Sequence, residues 1–152
     1  KKNFNCSVII MVVSEMKIKF KKSHGGREKC TSVKYKKDLS GDCVLRALAH
    51  AFDRDYETVM HELFALGLEM FRMPNDDIVI ETYLKRQGIK RNSPLTHHGK
   101  KKYQVGNFPL PGTHLIRSSG HLTCIKDGVL FDTWDCRPWK AQSYYTVATG
   151  DE

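Results

Sequence analysis

One short run of the 152-residue chain has the makings of a nucleophile: Ser40-Gly41-Asp42-Cys43, followed by Val44-Leu45-Arg46-Ala47-Leu48-Ala49-His50-Ala51-Phe52. The residues after Cys43 are rich in Ala and Leu, with no β-branched stretch beyond Val44, and so read as a buried helix that opens at or beside Cys43. A cysteine in the first turn of a helix faces unpaired backbone N–H groups and the positive end of the helix dipole, and both favour thiolate over thiol. The same N–H groups can hold an oxyanion, so one position supplies attack and stabilisation together. A cysteine on an arbitrary Ala/Leu helix is usually a small buried hydrophobe. The turn ahead of Cys43 and matching parts far downstream argue for chemistry here.

A thiolate of this kind needs a base, and His121 is the best placed of seven histidines because it opens a strand directly after Ser118-Ser119-Gly120. His50 shares the helix of Cys43 but lies two turns along it and reads as a core or supporting residue. His24, His61, His97, His98 and His114 fall in surface or loop contexts. Asp127-Gly128 between two apolar runs signals a two-residue hairpin, whose register sets His121 opposite Trp134 and Thr123 opposite Asp132. Asp132 is then a diagonal neighbour of His121 on one face of the sheet. Its carboxylate can accept the imidazole N–H and fix the tautomer. Asp135 alternates onto the other face and is the runner-up for that role, while Trp134 would shield the pair from water or fill the core.

The Ser40–Leu48 segment resembles the nucleophile motif of papain-like cysteine peptidases, especially the ovarian-tumour-type deubiquitinases, in which an Asp-Gly-Asn-Cys turn leads into a helix carrying Arg-Ala-Leu. Gly120-His121-Leu122-Thr123-Cys124-Ile125 and Val129-Leu130-Phe131-Asp132-Thr133-Trp134-Asp135 are similar to the His strand and the following Asp strand of that superfamily. Small bacteriophage-encoded papain-like proteins are also similar. The match covers roughly residues 38–62 and 112–137. It implies an α+β, papain-like fold and thiol hydrolysis of a peptide or isopeptide bond in a protein or peptide substrate by Cys43, His121 and Asp132, without a cofactor. If the chain is phage-encoded, it also implies action in host cytoplasm. Deamidation and acyl transfer use the same triad. Ser40 stands where the ovarian-tumour turn has Asp, Asp42 where it has Asn, and Lys37 where papain has a Gln. A backbone-built oxyanion hole is therefore expected, from the Cys43 N–H and a turn N–H of Ser40 or Gly41, with Asp42 as side-chain helper or N-cap. No ubiquitin-binding insertion is recognisable.

The elements that must position these residues follow from periodicity. The apolar run 8–13, and Lys17-Ile18-Lys19-Phe20-Lys21 in strict alternation, read as strands. A second helix starts at Asp55 as N-cap, carries Val59, Leu63, Leu66 and Met70 on one stripe with its Met and Phe residues in the core, and stops at Pro74. A third, capped by Asn75 or Asp76, is predicted over 77–87 and closed by Gly88. Residues 90–112 read as a basic loop or cover, and strands follow over 113–117, 121–126, 129–134 and about 144–147. Helices first and antiparallel strands last make a single α+β domain, a nucleophile helix packed on a twisted antiparallel sheet. Residues 1–15 are expected to be an appended or flexible start, with Met11 or Met16 as a candidate natural beginning.

Charge bears on what docks here. Residues 1–40 hold eleven Lys or Arg against three acids, whereas 41–152 hold fourteen of each, so the net charge of +8 lies ahead of the proposed chemistry. Residues 85–102 add seven basic side chains and no acid. A solvated basic face is the ordinary reading. The alternative function is an inactive scaffold or basic module that binds nucleic acid or an acidic partner through Lys17, Lys19, Lys21, Lys22, Lys34, Lys36, Lys37, Lys100, Lys101 and Lys102. Five cysteines with no C-x-x-C pair argue against a disulfide framework or zinc finger and for a reducing, cytoplasmic setting; no metal is expected, even with His97-His98 present. No apolar run is long enough to span a membrane.

Overall fold

A computed structural model describes residues 16–30 and 41–150. The apolar run 8–13, Ser40, Lys34, Lys36 and Lys37 lie outside the described residues.

Helix α1 (Cys43–Phe52) follows Gly41, whose φ of 79° turns the chain into it. Small residues let α1 sit deep: Val44, Leu45, Ala47, Leu48, Ala49 and Ala51 are all buried. Helix α2 (Tyr56–Met70) is capped as expected, the Asp55 carboxylate accepting the Thr58 N–H, and buries Val59, Leu63 and Leu66. Its other apolar residues depart from expectation. Phe64, Leu68, Phe71 and Met73 are 56%, 76%, 93% and 71% exposed, because α2 packs on α1 and α3 along one stripe and, among the described residues, nothing covers the other. Helix α3 (Asp77–Lys85) starts at Asp76, whose side chain accepts the Ile78 N–H, and ends two residues before the expected Gln87 in a turn that closes at Gly88.

The strands are β1 (Lys19–Lys22), β2 (Thr96–His97), β3 (Lys101–Lys102), β4 (Gly112–Ser118), β5 (His121–Lys126), β6 (Val129–Asp132) and β7 (Ser143–Thr149). β2 and β3 form a small hairpin of their own, and the other five make one sheet in the order β1-β6-β5-β4-β7. The fold is α+β. The pairings β6-β5-β4-β7 are antiparallel, but β1 runs parallel to β6, with Phe20 beside Leu130, which corrects the expectation of a wholly antiparallel sheet. A parallel pair needs a long crossover, and the three helices between β1 and β6 provide it. The β5–β6 hairpin has the anticipated register, Cys124 opposite Phe131 and Lys126 opposite Val129, with Asp127 and Gly128 both at positive φ. β6 stops at Asp132 rather than Trp134, because the Thr133 N–H turns back to donate to the Asp132 carboxylate at 2.7 Å and bends the chain out of the ladder.

Each sheet face has its own core. The helices cover one, around Leu48, Leu63, Leu115, Leu122 and Tyr145. The other is covered by the segment 90–112, which carries the β2–β3 hairpin and buries Val105 and Phe108 against Ile18, Ile116, Ile125 and Leu130. The basic loop is thus a cover with an apolar underside. Among the described residues no helix is long and apolar enough to cross a membrane.

Candidate active site

The start of α1 meets the start of β5. Cys43, half-buried, shares one cavity wall with His121 and Leu122. His121 Nε2 bonds Asp132 Oδ2 at 2.6 Å. Asp132 is 3% exposed; its Oδ1 accepts from the Thr133 N–H, and Arg46 Nη2 lies 3.4 Å away. The Trp134 ring stands 5.0 Å from the imidazole and crosses Trp139 edge-on at 5.1 Å, both indoles being partly exposed. Trp134 therefore shields one side of His121 without belonging to the core.

Asp135 turns to Arg137, at 2.7 and 2.8 Å, and does not reach His121. Of the two candidates for orienting the histidine, the structure brings only Asp132 to it. His50 bonds Ser23 Oγ at 2.8 Å through Nε2 and stacks on Phe131, apart from the sulfur. His114, expected at the surface, is buried and bonds Thr146 Oγ1 and the Pro111 carbonyl, since β4 is a central strand covered on both faces.

Asp42 overturns a simpler expectation. It occupies the N-cap position but makes no capping bond. Its carboxylate is held by Arg27 at 2.8 Å, by Arg46 one helical turn on, and by the Tyr56 hydroxyl at 3.0 Å. Gly25 brings Arg27 in: its backbone comes so near α1 that a Cβ there would lie 2.8 Å from Arg46 Cα. Because the carboxylate is engaged elsewhere, the Asp42 side chain does not cap the first N–H groups of α1, which have no intrahelical partner. Arg46 spans the two carboxylates, Asp42 beneath the helix start and Asp132 behind the histidine. Sequence reasoning missed this bridge; the i,i+4 spacing of Asp42 and Arg46 was the available signal. It also missed Cys136, which is fully buried with its sulfur 3.7 Å from Asp132 Oδ2. No pattern flags a residue beyond the end of a strand.

The electrostatics favour an ion pair. Burial is the largest influence on Cys43 and works against the thiolate. Hydrogen bonds from His121 and the Leu122 N–H, with the charges of His121 and Arg46, outweigh it and hold the thiol below its ordinary value. Burial likewise opposes the imidazolium, but bonds to Asp132, Cys136 and Cys43 outweigh it and raise His121. Asp132 is lowered against burial chiefly by the bond it accepts from His121. Burial pushes Cys30, Cys124 and Cys136 the opposite way from Cys43.

His121, Asp132 and Cys136 also present three buried donor atoms within 4.8 Å of one another, enough to hold one metal ion. A cavity of about 520 Å³ opens over Cys43 and His121, walled by Asp77, Arg91, Arg117 and Gln142. Beyond Gly41 lies a second cavity of about 240 Å³, lined by Leu45, Tyr56, Met60, Leu63, Phe64 and Met73. No family model matches the chain, and comparison with curated proteins and with solved structures returns no match.

Proposed function

We propose that the protein is a thiol hydrolase of the cysteine-peptidase type, acting on a peptide or isopeptide bond through Cys43, His121 and Asp132, on a papain-like variant of its α+β fold. One observation carries the reading: a cysteine in the first turn of a helix shares a cavity wall with a histidine whose Nε2 is bonded to a buried carboxylate at 2.6 Å. The Cys43 thiolate attacks the carbonyl carbon and a C–S bond forms. The developing oxyanion is met by N–H groups of the first turn, that of Cys43 among them. His121 gives its proton to the leaving nitrogen as the C–N bond breaks, leaving a thioester and a neutral imidazole. Water then attacks as His121 takes its proton; the C–O bond forms, the C–S bond breaks, and acid product leaves with the ion pair restored. Asp132 keeps the ring oriented and stabilises its cationic form.

Incubation with a diverse peptide pool, followed by mass spectrometry, tests this. New termini, amide losses or transfers should accumulate with the native protein and vanish in Cys43→Ala. Products that persist in the variant would sink the proposal.

The rival reading, a basic binding module, has support in the exposed Lys17, Lys19, Lys21 and Lys22 and in Lys100, Lys101 and Lys102. These fall into two groups: β1 is one edge of the sheet, and Lys102 reaches Gln142, just ahead of β7 at the other. Retention on heparin that falls steeply with salt, without selective reactivity at Cys43, would favour the module.

A further inference from the structure

We propose that Arg117, with Arg91 beside it, makes the cleft a recognition site for a carboxylate, so that the substrate carries an acidic residue close to the bond that Cys43 attacks. This rests on the hydrolase reading and names its substrate class. Arg117 leaves the central strand β4 between Leu122 of β5 and Ser143 of β7, and lines the same cavity as Cys43 and His121. Its side chain is only 15% exposed. Nη1 is engaged by Asp77 at 2.9 Å, whereas Nε and Nη2 are buried and, among the described residues, make no well-formed hydrogen bond, although the Tyr145 hydroxyl lies close to the guanidinium. Those two nitrogens form the edge with which a guanidinium grips a carboxylate side-on, through two parallel N–H bonds. A buried donor pair without an acceptor is costly, and a ligand that supplies one recovers that cost.

The surroundings point to the same ligand. Arg91 donates through Nε to Ser143 Oγ at 3.1 Å and sets a second guanidinium on the cavity wall, half-exposed, with Glu81 at 3.3 Å. Among the described residues Asp77 is the one acid on that wall, and its side chain is 62% exposed at the start of α3. An ion pair with so exposed a partner is weak. Asp77, on Nη1, thus leaves the Nε–Nη2 edge to an incoming carboxylate, and its own charge opposes one there. Gln142, also on the wall, accepts from Lys102, so the basic β2–β3 hairpin extends the positive rim and draws acidic segments toward the cleft.

Three peptidyl chloromethyl ketones of one sequence, with Glu, Gln or Lys beside the reactive ketone, test the proposal; a second set varies the next residue out. In each, the Cys43 thiolate displaces chloride and a C–S bond forms, so labelling reads docking without requiring turnover. In one of the two sets the native protein should react about tenfold faster with the Glu probe than with the Gln probe, and slowest with Lys. In Arg117→Gln the Glu-to-Gln ratio should fall to near one, and in Asp77→Asn it should rise; because a ratio is read, a general loss of reactivity cancels. Equal Glu and Gln rates in both sets, or a Glu preference that survives Arg117→Gln, would overturn the proposal while leaving the nucleophile intact. Failure of every probe to label Cys43 would overturn the hydrolase reading and this one with it.

Discussion

At the residue scale, two aspartates three positions apart have different work, and hydrogen-bond partners decide which orients the histidine. Asp132 accepts from His121, the Thr133 N–H and Arg46; Asp135 is spent on Arg137. Asp132→Asn should therefore lower kcat/KM by about a hundredfold or more, the scale of a disturbed general base, whereas Asp135→Asn should change it less than about threefold. Steady-state kinetics on any substrate found in the peptide pool would decide. The same pair predicts how stability follows pH. His121 is raised from 6.5, so its contribution is complete below that value and fades as pH climbs through the raised one. Asp132 is lowered from 3.8, so its contribution is complete above that value and is lost as pH falls through the lowered one. Urea midpoints should plateau between those limits, and the plateau should lose its alkaline edge in His121→Ala.

At the element scale, the site depends on how α1 is fastened to the β5–β6 hairpin, and Arg46 is the fastener. Its guanidinium joins the helix start, through Asp42, to the strand end, through Asp132. Arg46→Met would leave two buried carboxylates underpaired, and should cost about 3 kcal/mol or more of stability. It should also raise the pH at which Cys43 alkylates, because the charge that helps lower the thiol is gone. Arg46→Lys keeps the charge but not the two-armed reach, and should restore the pH profile more fully than the stability. Unfolding and alkylation measured on the same variants would separate these effects; an unshifted pH profile in Arg46→Met would contradict them. The hairpin was legible in advance because Asp127-Gly128 fixes the register by backbone geometry alone, and register delivers Asp132 to the face of His121. The fastener was legible only in part: the i,i+4 spacing signals Arg46 to Asp42, but its reach to Asp132, like those of Arg27 and Tyr56 to Asp42, comes from tertiary packing that no local spacing encodes.

At the scale of the whole molecule, the site lies where one end of α1, the β4–β5 turn and the end of β6 converge, with one apolar core on each side of the sheet. Local chemistry announced most of this: the three helix starts, the last four strands and the mixed α+β class. The parallel pairing of β1 escaped prediction because strand direction is set by where the chain returns, not by alternation along Lys17–Lys21. The exposed Phe64, Leu68, Phe71 and Met73 escaped it because a helical stripe shows which residues suit a core, not how many faces the fold will cover. The proposed hydrolysis requires one sulfur held as a thiolate by its histidine. The most direct measurement is the pH dependence of iodoacetamide labelling, resolved cysteine by cysteine in the native fold by mass spectrometry. Cys43 should label far faster than Cys30, Cys124 and Cys136, with a midpoint below the ordinary thiol value of 9.0 that climbs in His121→Ala. Uniform slow labelling of the four, or a Cys43 midpoint indifferent to His121, would contradict it.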